Sequence, residues 1–172
     1  VQGNDISFTE FLFDEEYIKK SISNYQFNNN RAITKSIITW WAYQDDDQEL
    51  LSLDTVLETE HIFARNRQDK EKSLTDPGNL ECLGNKVLLE KRINIRASDY
   101  RFEDKKKYYN GYKTDRGQVK DATKIKELLR LSETHSDFVE ADIIARNTSI
   151  IEGFIGYLKA NDLIKKTNIT VR

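Results

Sequence analysis

The stretch Leu83–Asn94, LGNKVLLEKRIN, combines a strand pattern with the start of a helix. Within it, Asn85–Glu90 is a short apolar run flanked by glycine and charged residues, which is typical of a buried strand. A helix is expected to begin near Asn94. Upstream, Leu57–Phe63 (LETEHIF) alternates weakly between apolar and polar residues and predicts another short strand. Together these segments predict a small strand–strand–helix unit.

Helical patterns flank this unit on both sides. One proline and seven glycines are few for an all-β chain, and Ile33, Ile37, Trp40 and Trp41 recur at helical spacing. Further helices are predicted over FEDKKKYY, around 122–129 and over 138–158. The sequence therefore predicts a mainly α fold of the α+β class, with one domain over 1–172. Its parts are a helical flank (1–54), the ββα core (55–112) and a second helical flank (113–172).

Composition restricts the setting of the protein. A single cysteine excludes an intramolecular disulfide, and no apolar run is long enough to cross a membrane, so a cytoplasmic protein is expected. The chain lacks methionine, which suggests a fragment of something longer. Although the net charge is −2, residues 86–130 carry a local charge of +7. This basic middle third is compatible with a nucleic-acid partner.

Glu60 and His61 form the first candidate for chemistry. A neutral imidazole can take a proton from water, and a neighbouring carboxylate can hold a hard divalent cation. The pair alone equally fits a core histidine beside a surface glutamate. Two asparagines, Asn85 and Asn94, shift that balance, because an amide oxygen can bind Mg²⁺ or orient an imidazole ring.

The set EHIF, LGNKVLLEKRIN and FEDKKKYY resembles the HNH, or ββα-metal, nucleases. More specifically, it resembles the C-terminal nuclease domain of GmrSD-type modification-dependent restriction proteins. The segment ADIIARNTSIIEGFI is similar to the helix that closes those domains. On that helix, an arginine such as Arg146 is expected to have a carboxylate or carbonyl partner and to brace the ββα unit.

The resemblance implies a DNA endonuclease that depends on Mg²⁺ or Mn²⁺. His61 would be the general base that activates water, Glu60 and Asn94 would hold one metal ion, and Asn85 would orient the His61 ring. In that group a linked N-terminal nucleotide-hydrolysing domain senses the DNA, and such a domain is absent from this chain. The implied setting is bacterial or archaeal defence against modified or foreign DNA.

Basic residues around the motif are candidate phosphate contacts. They are Arg65, Lys86, Arg92, Arg96, Lys105 and Lys106. The alternative for the lysine run is a solvated helix face.

Two departures from the family pattern bear on function. Ala64 stands where the family commonly has proline, and the interval from His61 to Asn85 is longer than in compact HNH motifs. Two other functions therefore stay open. One is a degenerate HNH module that binds DNA or a partner subunit without cutting, and the other is a helical interaction domain.

Overall fold

The computed structural model describes residues 14–164. The chain divides into two compact units, of which the larger comprises residues 26–148. The smaller unit contains the described residues 14–25 and 149–164. The predicted helical positions before residue 14 lie outside the described residues.

Helices predominate, and the strands form two small antiparallel pairs. In chain order the elements are α1 (Glu15–Ser23), α2 (Ala32–Ala42), β1 (Leu57–His61), α3 (Arg65–Glu71), 3₁₀ turns at Pro77–Glu81 and Leu83–Asn85, β2 (Lys86–Glu90), α4 (Lys91–Ala97), α5 (Phe102–Tyr109), β3 (Tyr112–Lys113), β4 (Val119–Lys120), α6 (Lys126–Thr134) and α7 (Glu140–Ala160). The predicted mainly helical α+β class is confirmed. No helix within residues 14–164 is long and apolar enough to cross a bilayer.

Strands β1 and β2 pair in antiparallel fashion, and α4 follows β2 without a gap. Their register places Thr59 opposite Leu88 and His61 opposite Lys86. The first strand ends two residues earlier than predicted, and the helix begins earlier than Asn94. Val87 and Leu88, which point to opposite faces of β2, have no exposed surface. The strand is therefore covered on both faces, which explains its apolar centre.

The long interval between β1 and β2 is structured. It contains α3 and the two 3₁₀ turns, the first of which begins with the typical turn residues Pro77 and Gly78. Ala64 precedes α3 with a φ of −67°. A proline ring imposes nearly the same φ, so the departure from the family pattern leaves the backbone direction unchanged.

Helix α7 is fixed against the turn that precedes β2. Arg146 Nη1 donates to the carbonyl oxygens of Leu83, Gly84 and Lys86 at 3.0, 2.9 and 2.7 Å. Its Nε donates to Glu127 at 2.8 Å. The expected carbonyl and carboxylate partners of Arg146 are thus both present.

Gly84 makes this close approach possible. A Cβ added to Gly84 would lie 2.0 Å from the carbonyl oxygen of Ile143 on α7. Only a residue without a side chain fits that contact, because protein interiors are closely packed. The glycine of the LGN segment therefore lets α7 approach the start of β2.

The smaller unit has its own apolar cluster. Its buried members are Ile151, Ile155 and Ile164, with Ile18, Ile22 and Leu158 packed against them. Glu15 forms ion pairs with Lys19 at 2.8 Å and Lys159 at 2.6 Å. Ile18 and Ile22 are four residues apart and therefore lie on one face of α1.

The carboxylate of Glu140 organises the loop around Thr75–Asn79. It accepts hydrogen bonds from the backbone N–H groups of Thr75 and Asp76, both at 2.8 Å, and from Asn79 Nδ2 at 2.9 Å. These bonds, led by that from Asp76, lower the pKa of Glu140 to about 2. The carboxylate is therefore the form that the folded loop prefers.

We expect Glu140→Gln to accelerate amide hydrogen exchange at Thr75 and Asp76, because a neutral amide accepts weaker hydrogen bonds than a carboxylate. The folded-state pKa of Glu140 lies below its ordinary value of 4.5. The stabilisation is therefore present above that ordinary value and is lost as the pH falls toward about 2. Exchange rates corrected for intrinsic pH effects should rise on acidification in the parent but not in the variant.

Asp142→Asn provides the matched control for this prediction. Asp142 Oδ2 accepts from the N–H of Val139 at 2.8 Å, at the start of the same helix. The control should change exchange at Val139 and leave Thr75 and Asp76 protected. Unchanged protection of Thr75 and Asp76 in Glu140→Gln would contradict the role of Glu140.

Candidate functional site

The His61 side chain lies in a polar cluster at the end of β1, and 12% of it is exposed. Asn29 Nδ2 lies 3.3 Å from His61 Nδ1, and Glu81 Oε1 lies 3.3 Å from Nε2. Lys86 Nζ also contacts Nε2. The ring is therefore held through both of its nitrogens by side chains from three separate segments.

The neighbours of His61 also bind one another. Lys86 Nζ donates to Glu81 Oε2 at 2.7 Å and to Asn29 Oδ1 at 2.9 Å. Asn29 Nδ2 donates to the carbonyl oxygen of Thr59 at 3.0 Å, which ties it to β1. Arg65 contacts the Glu81 carboxylate from the more exposed side. A connected network of this kind fixes the position of the imidazole.

The titratable groups of this cluster have shifted pKa values. Burial lowers the pKa of His61 below its ordinary value, although the hydrogen bond that the Glu81 carboxylate accepts opposes that shift. Burial also lowers the pKa of Lys86, to about 8. Burial alone would raise the pKa of Glu81, but its bonds to His61 and Lys86 prevail and lower it to about 2. At neutral pH the ring is therefore neutral beside an ionised carboxylate.

Asn85 is fully buried and contacts the backbone that follows His61. Its Oδ1 accepts from the N–H of Phe63 at 2.7 Å. Its Nδ2 donates to the carbonyls of Phe63 and Leu80 at 3.1 and 3.0 Å. The side chain that reaches the ring nitrogen is that of Asn29, while Asn85 binds the backbone two residues after His61.

The face of β1 opposite to the His61 side chain carries a second set of polar side chains. Glu58 and Glu60 share this face because alternate strand residues point the same way. Asn94 Nδ2, from α4, donates to Glu58 Oε2 at 2.9 Å. Glu60 is 9% exposed and forms an ion pair with Lys105 on α5. The structure thus brings Asn94 and the two glutamates to one face and His61 to the other.

Of the six basic residues predicted to contact DNA, two are buried inside the protein. The side chains of Lys86 and Lys105 are 0% and 1% exposed, and each pairs with a glutamate. Their ammonium groups cannot reach a phosphate backbone in this arrangement, which corrects the prediction for both. A buried lysine needs a partner that the fold brings to it, Glu81 for Lys86 and Glu60 for Lys105, so residue type alone does not indicate burial.

The other four basic residues retain exposed surface. Arg65 is 54% exposed along its side chain, and Arg92 is exposed on α4. Arg96 is half-buried, with Nη2 at 3.5 Å from the carbonyl oxygen of Asp121. Lys106 donates to the carbonyl oxygen of His135 at 2.7 Å. Arg65 is the exposed cation that contacts the His61 cluster directly.

Comparison with known families matches residues 12–152 to the C-terminal domain of GmrSD restriction endonucleases. The chain belongs to this family. The match spans both strands of the ββα unit and most of α7. A GmrSD C-terminal domain is a nuclease domain of the restriction-endonuclease type. No curated protein and no solved structure was found to match the chain.

Glu60 and Asn94 are the predicted ligands of a divalent cation, and that role stays a prediction. In residues 14–164 no three His, Cys, Asp or Glu side chains converge as a metal site. Glu58 and Glu60 share one face of β1, and Asn94 Nδ2 donates to Glu58 Oε2 from α4. Mg²⁺ commonly uses only one or two carboxylates and completes its shell with water and substrate phosphate.

Three partners in the GmrSD C-terminal domain were not foreseen from sequence. In the sequence, Asn29 lies in a run of three asparagines, a residue type that often caps helices. Glu81 follows the turn-forming segment DPGN, and Glu58 has the alternation expected of any strand. The two-residue spacing of Glu58 and Glu60 was the available signal, since it places both carboxylates on one face. Asn29 and Glu81 carry no comparable local pattern.

Proposed function

We propose that this GmrSD C-terminal domain is a metal-dependent DNA endonuclease of the HNH type. The observation that carries the proposal is the β1–β2–α4 unit, which holds a neutral, buried His61 at the end of β1, one residue after Glu60. The two side chains leave the strand on opposite faces, so the proposal requires the substrate phosphate to reach both of them at the strand end. The family supplies the reaction class, and these two residues supply groups suited to phosphodiester hydrolysis. The proposed biological role is that of the cutting part of a restriction or anti-phage defence protein.

In this proposal His61 takes the proton from the attacking water. Its lowered pKa keeps the ring in the proton-accepting form at neutral pH. Glu81 lies 3.3 Å from Nε2 and stabilises the imidazolium that forms after proton transfer. Asn29 Nδ2 orients the ring through Nδ1 before the reaction, and this contact must give way when Nδ1 takes the proton from water.

Glu60 and Asn94 would hold the divalent cation, with Glu58 as a further oxygen donor on the same face. A bound Mg²⁺ or Mn²⁺ would stabilise negative charge on the scissile phosphate and on the leaving 3′ oxygen. Arg65 and Arg92 supply exposed positive charge for the flanking phosphates. We further propose that a linked N-terminal nucleotide-hydrolysing domain senses modified or foreign DNA.

Purified protein is expected to nick or linearise supercoiled plasmid when Mg²⁺ or Mn²⁺ is present, because the proposed reaction needs the cation to stabilise developing charge. Removal of divalent ions with EDTA should stop the cleavage, and added Mn²⁺ should restore it. Agarose gels that separate closed, nicked and linear plasmid provide the measurement.

A gel-shift assay with the same DNA distinguishes the alternative function. A binding module without activity would shift DNA and leave it covalently closed under every metal condition. That result would overturn the endonuclease proposal and support the degenerate HNH module. Cleavage that persists at full rate in EDTA would instead contradict metal dependence.

A further inference from the structure

Lys105 projects from α5 into the protein interior. Its side chain is 1% exposed, and α5 neighbours on the same face, Phe102 and Tyr109, are 1% and 0% exposed. The spacing of these three residues matches one helical stripe. The inward direction of Lys105 therefore follows from its place on the buried face of α5, and Lys105 is not a surface lysine that makes a chance contact.

The ammonium of Lys105 binds two consecutive residues of β1. Its Nζ contacts Glu60 Oε1 and donates to the carbonyl oxygen of His61 at 2.7 Å. The Lys105 ammonium thus binds both the side chain of Glu60 and the backbone of His61. These are the residues to which the proposed function assigns the cation and the general base.

Stability alone is a weak reason for such a pair. Burial of an ammonium and a carboxylate has a large desolvation cost, and well-packed apolar residues of similar volume are often as stable or more so. A carboxylate offers two oxygens, so Lys105 can hold Oε1 and leave Oε2 for a cation. Hydrogen-bonded partners of this kind orient metal-binding carboxylates in proteins.

We propose that Lys105 is a positioning residue that holds the Glu60 carboxylate and the end of β1 for divalent-cation binding. The inference rests on the proposed function. It replaces the role of DNA contact that the lysine run suggested. It also requires that the cation and the ammonium bind different oxygens of Glu60, rather than compete for the same one.

The test compares Lys105→Met with Lys107→Met in the full chain by isothermal titration with Mn²⁺, without DNA. We expect Lys105→Met to weaken Mn²⁺ affinity by about 10–100-fold, the range seen when partners of metal-binding residues are removed. Lys107 is exposed on the same helix, with Nζ 4.9 Å from the centre of the Tyr112 ring, so Lys107→Met should keep the parent's affinity. DNA binding in EDTA should be the same for both variants.

Parent-like Mn²⁺ affinity in a folded Lys105→Met variant would overturn the inference, and tighter binding would show that the ammonium competes with the cation. If Lys105→Met does not fold, as judged by circular dichroism, Lys105→Arg decides. Its planar guanidinium keeps the charge but changes the donor geometry, so weaker Mn²⁺ binding is expected and parent-like binding overturns the inference.

The same titration separates this inference from the proposed function. A parent that binds Mn²⁺ and cuts DNA, together with a Lys105→Met variant of equal affinity, removes the role of Lys105 alone. A parent that neither binds Mn²⁺ nor cuts removes the endonuclease proposal and the role of Lys105 with it.

Discussion

His61→Ala is expected to lower the rate of plasmid cleavage by about 10²–10⁴-fold, the usual contribution of a general base. The substitution removes the imidazole that accepts the proton from water in the proposed reaction. The fold should persist, because Lys86 Nζ and Glu81 Oε2 bind each other at 2.7 Å without the ring. Rates should be measured under single-turnover conditions at saturating Mg²⁺.

His135→Ala is the matched control, since these are the two histidines of the chain. His135 ends α6, and its Nδ1 lies 2.8 Å from Thr134 Oγ1. The His135→Ala variant should cut DNA at the parent's rate. Cleavage by His61→Ala at that same rate would remove His61 from the reaction and leave the nuclease without its proposed base.

The pH dependence of the parent tests the same role. The neutral ring is the active form, so cleavage should be fast above the pKa of His61 and should fall as acid protonates the ring. Burial lowers this pKa below the ordinary value of 6.5, so the midpoint of the loss should lie on the acidic side of that value. A midpoint well above 6.5 would contradict the buried environment of the ring.

The local sequence pattern predicted the two strands and the helix that follows them, because alternation and turn residues act over a few positions. It did not predict α3, since RNRQDKE has no apolar periodicity, or the β3–β4 pair, since each strand has two residues. The same limit applies to the partners of His61. Asn29 is 32 residues from His61, and no short-range pattern encodes that contact.

Burial of charge was the other feature that local patterns could not supply. Lys105 and Lys106 are adjacent and identical, yet the first binds Glu60 inside the protein and the second binds the backbone of His135. Which lysine turns inward is set by the phase of α5 relative to Phe102 and Tyr109. That phase depends on tertiary packing, so residue type alone predicted the same role for both.

The largest loss of stability is expected for Arg146→Met. Arg146 is 8% exposed, and its guanidinium satisfies three backbone carbonyls before β2 and the carboxylate of Glu127. Methionine fills similar space but donates no hydrogen bond, so these acceptors stay buried without this partner. Removal of one member of a buried charged pair typically costs about 3–5 kcal/mol in free energy of unfolding.

Arg130→Met is the matched control for this loss. Arg130 also pairs with carboxylates, those of Asp45 and Asp47 at 2.9 and 2.6 Å, but its side chain is 56% exposed. Solvent screens such pairs, and their measured contribution to stability is about 0–1 kcal/mol. Urea unfolding followed by circular dichroism should therefore separate the two variants by several kilocalories per mole. Equal midpoints would mean that α7 does not hold the turn before β2 through Arg146, and the position of Asn85 and Lys86 would need another cause.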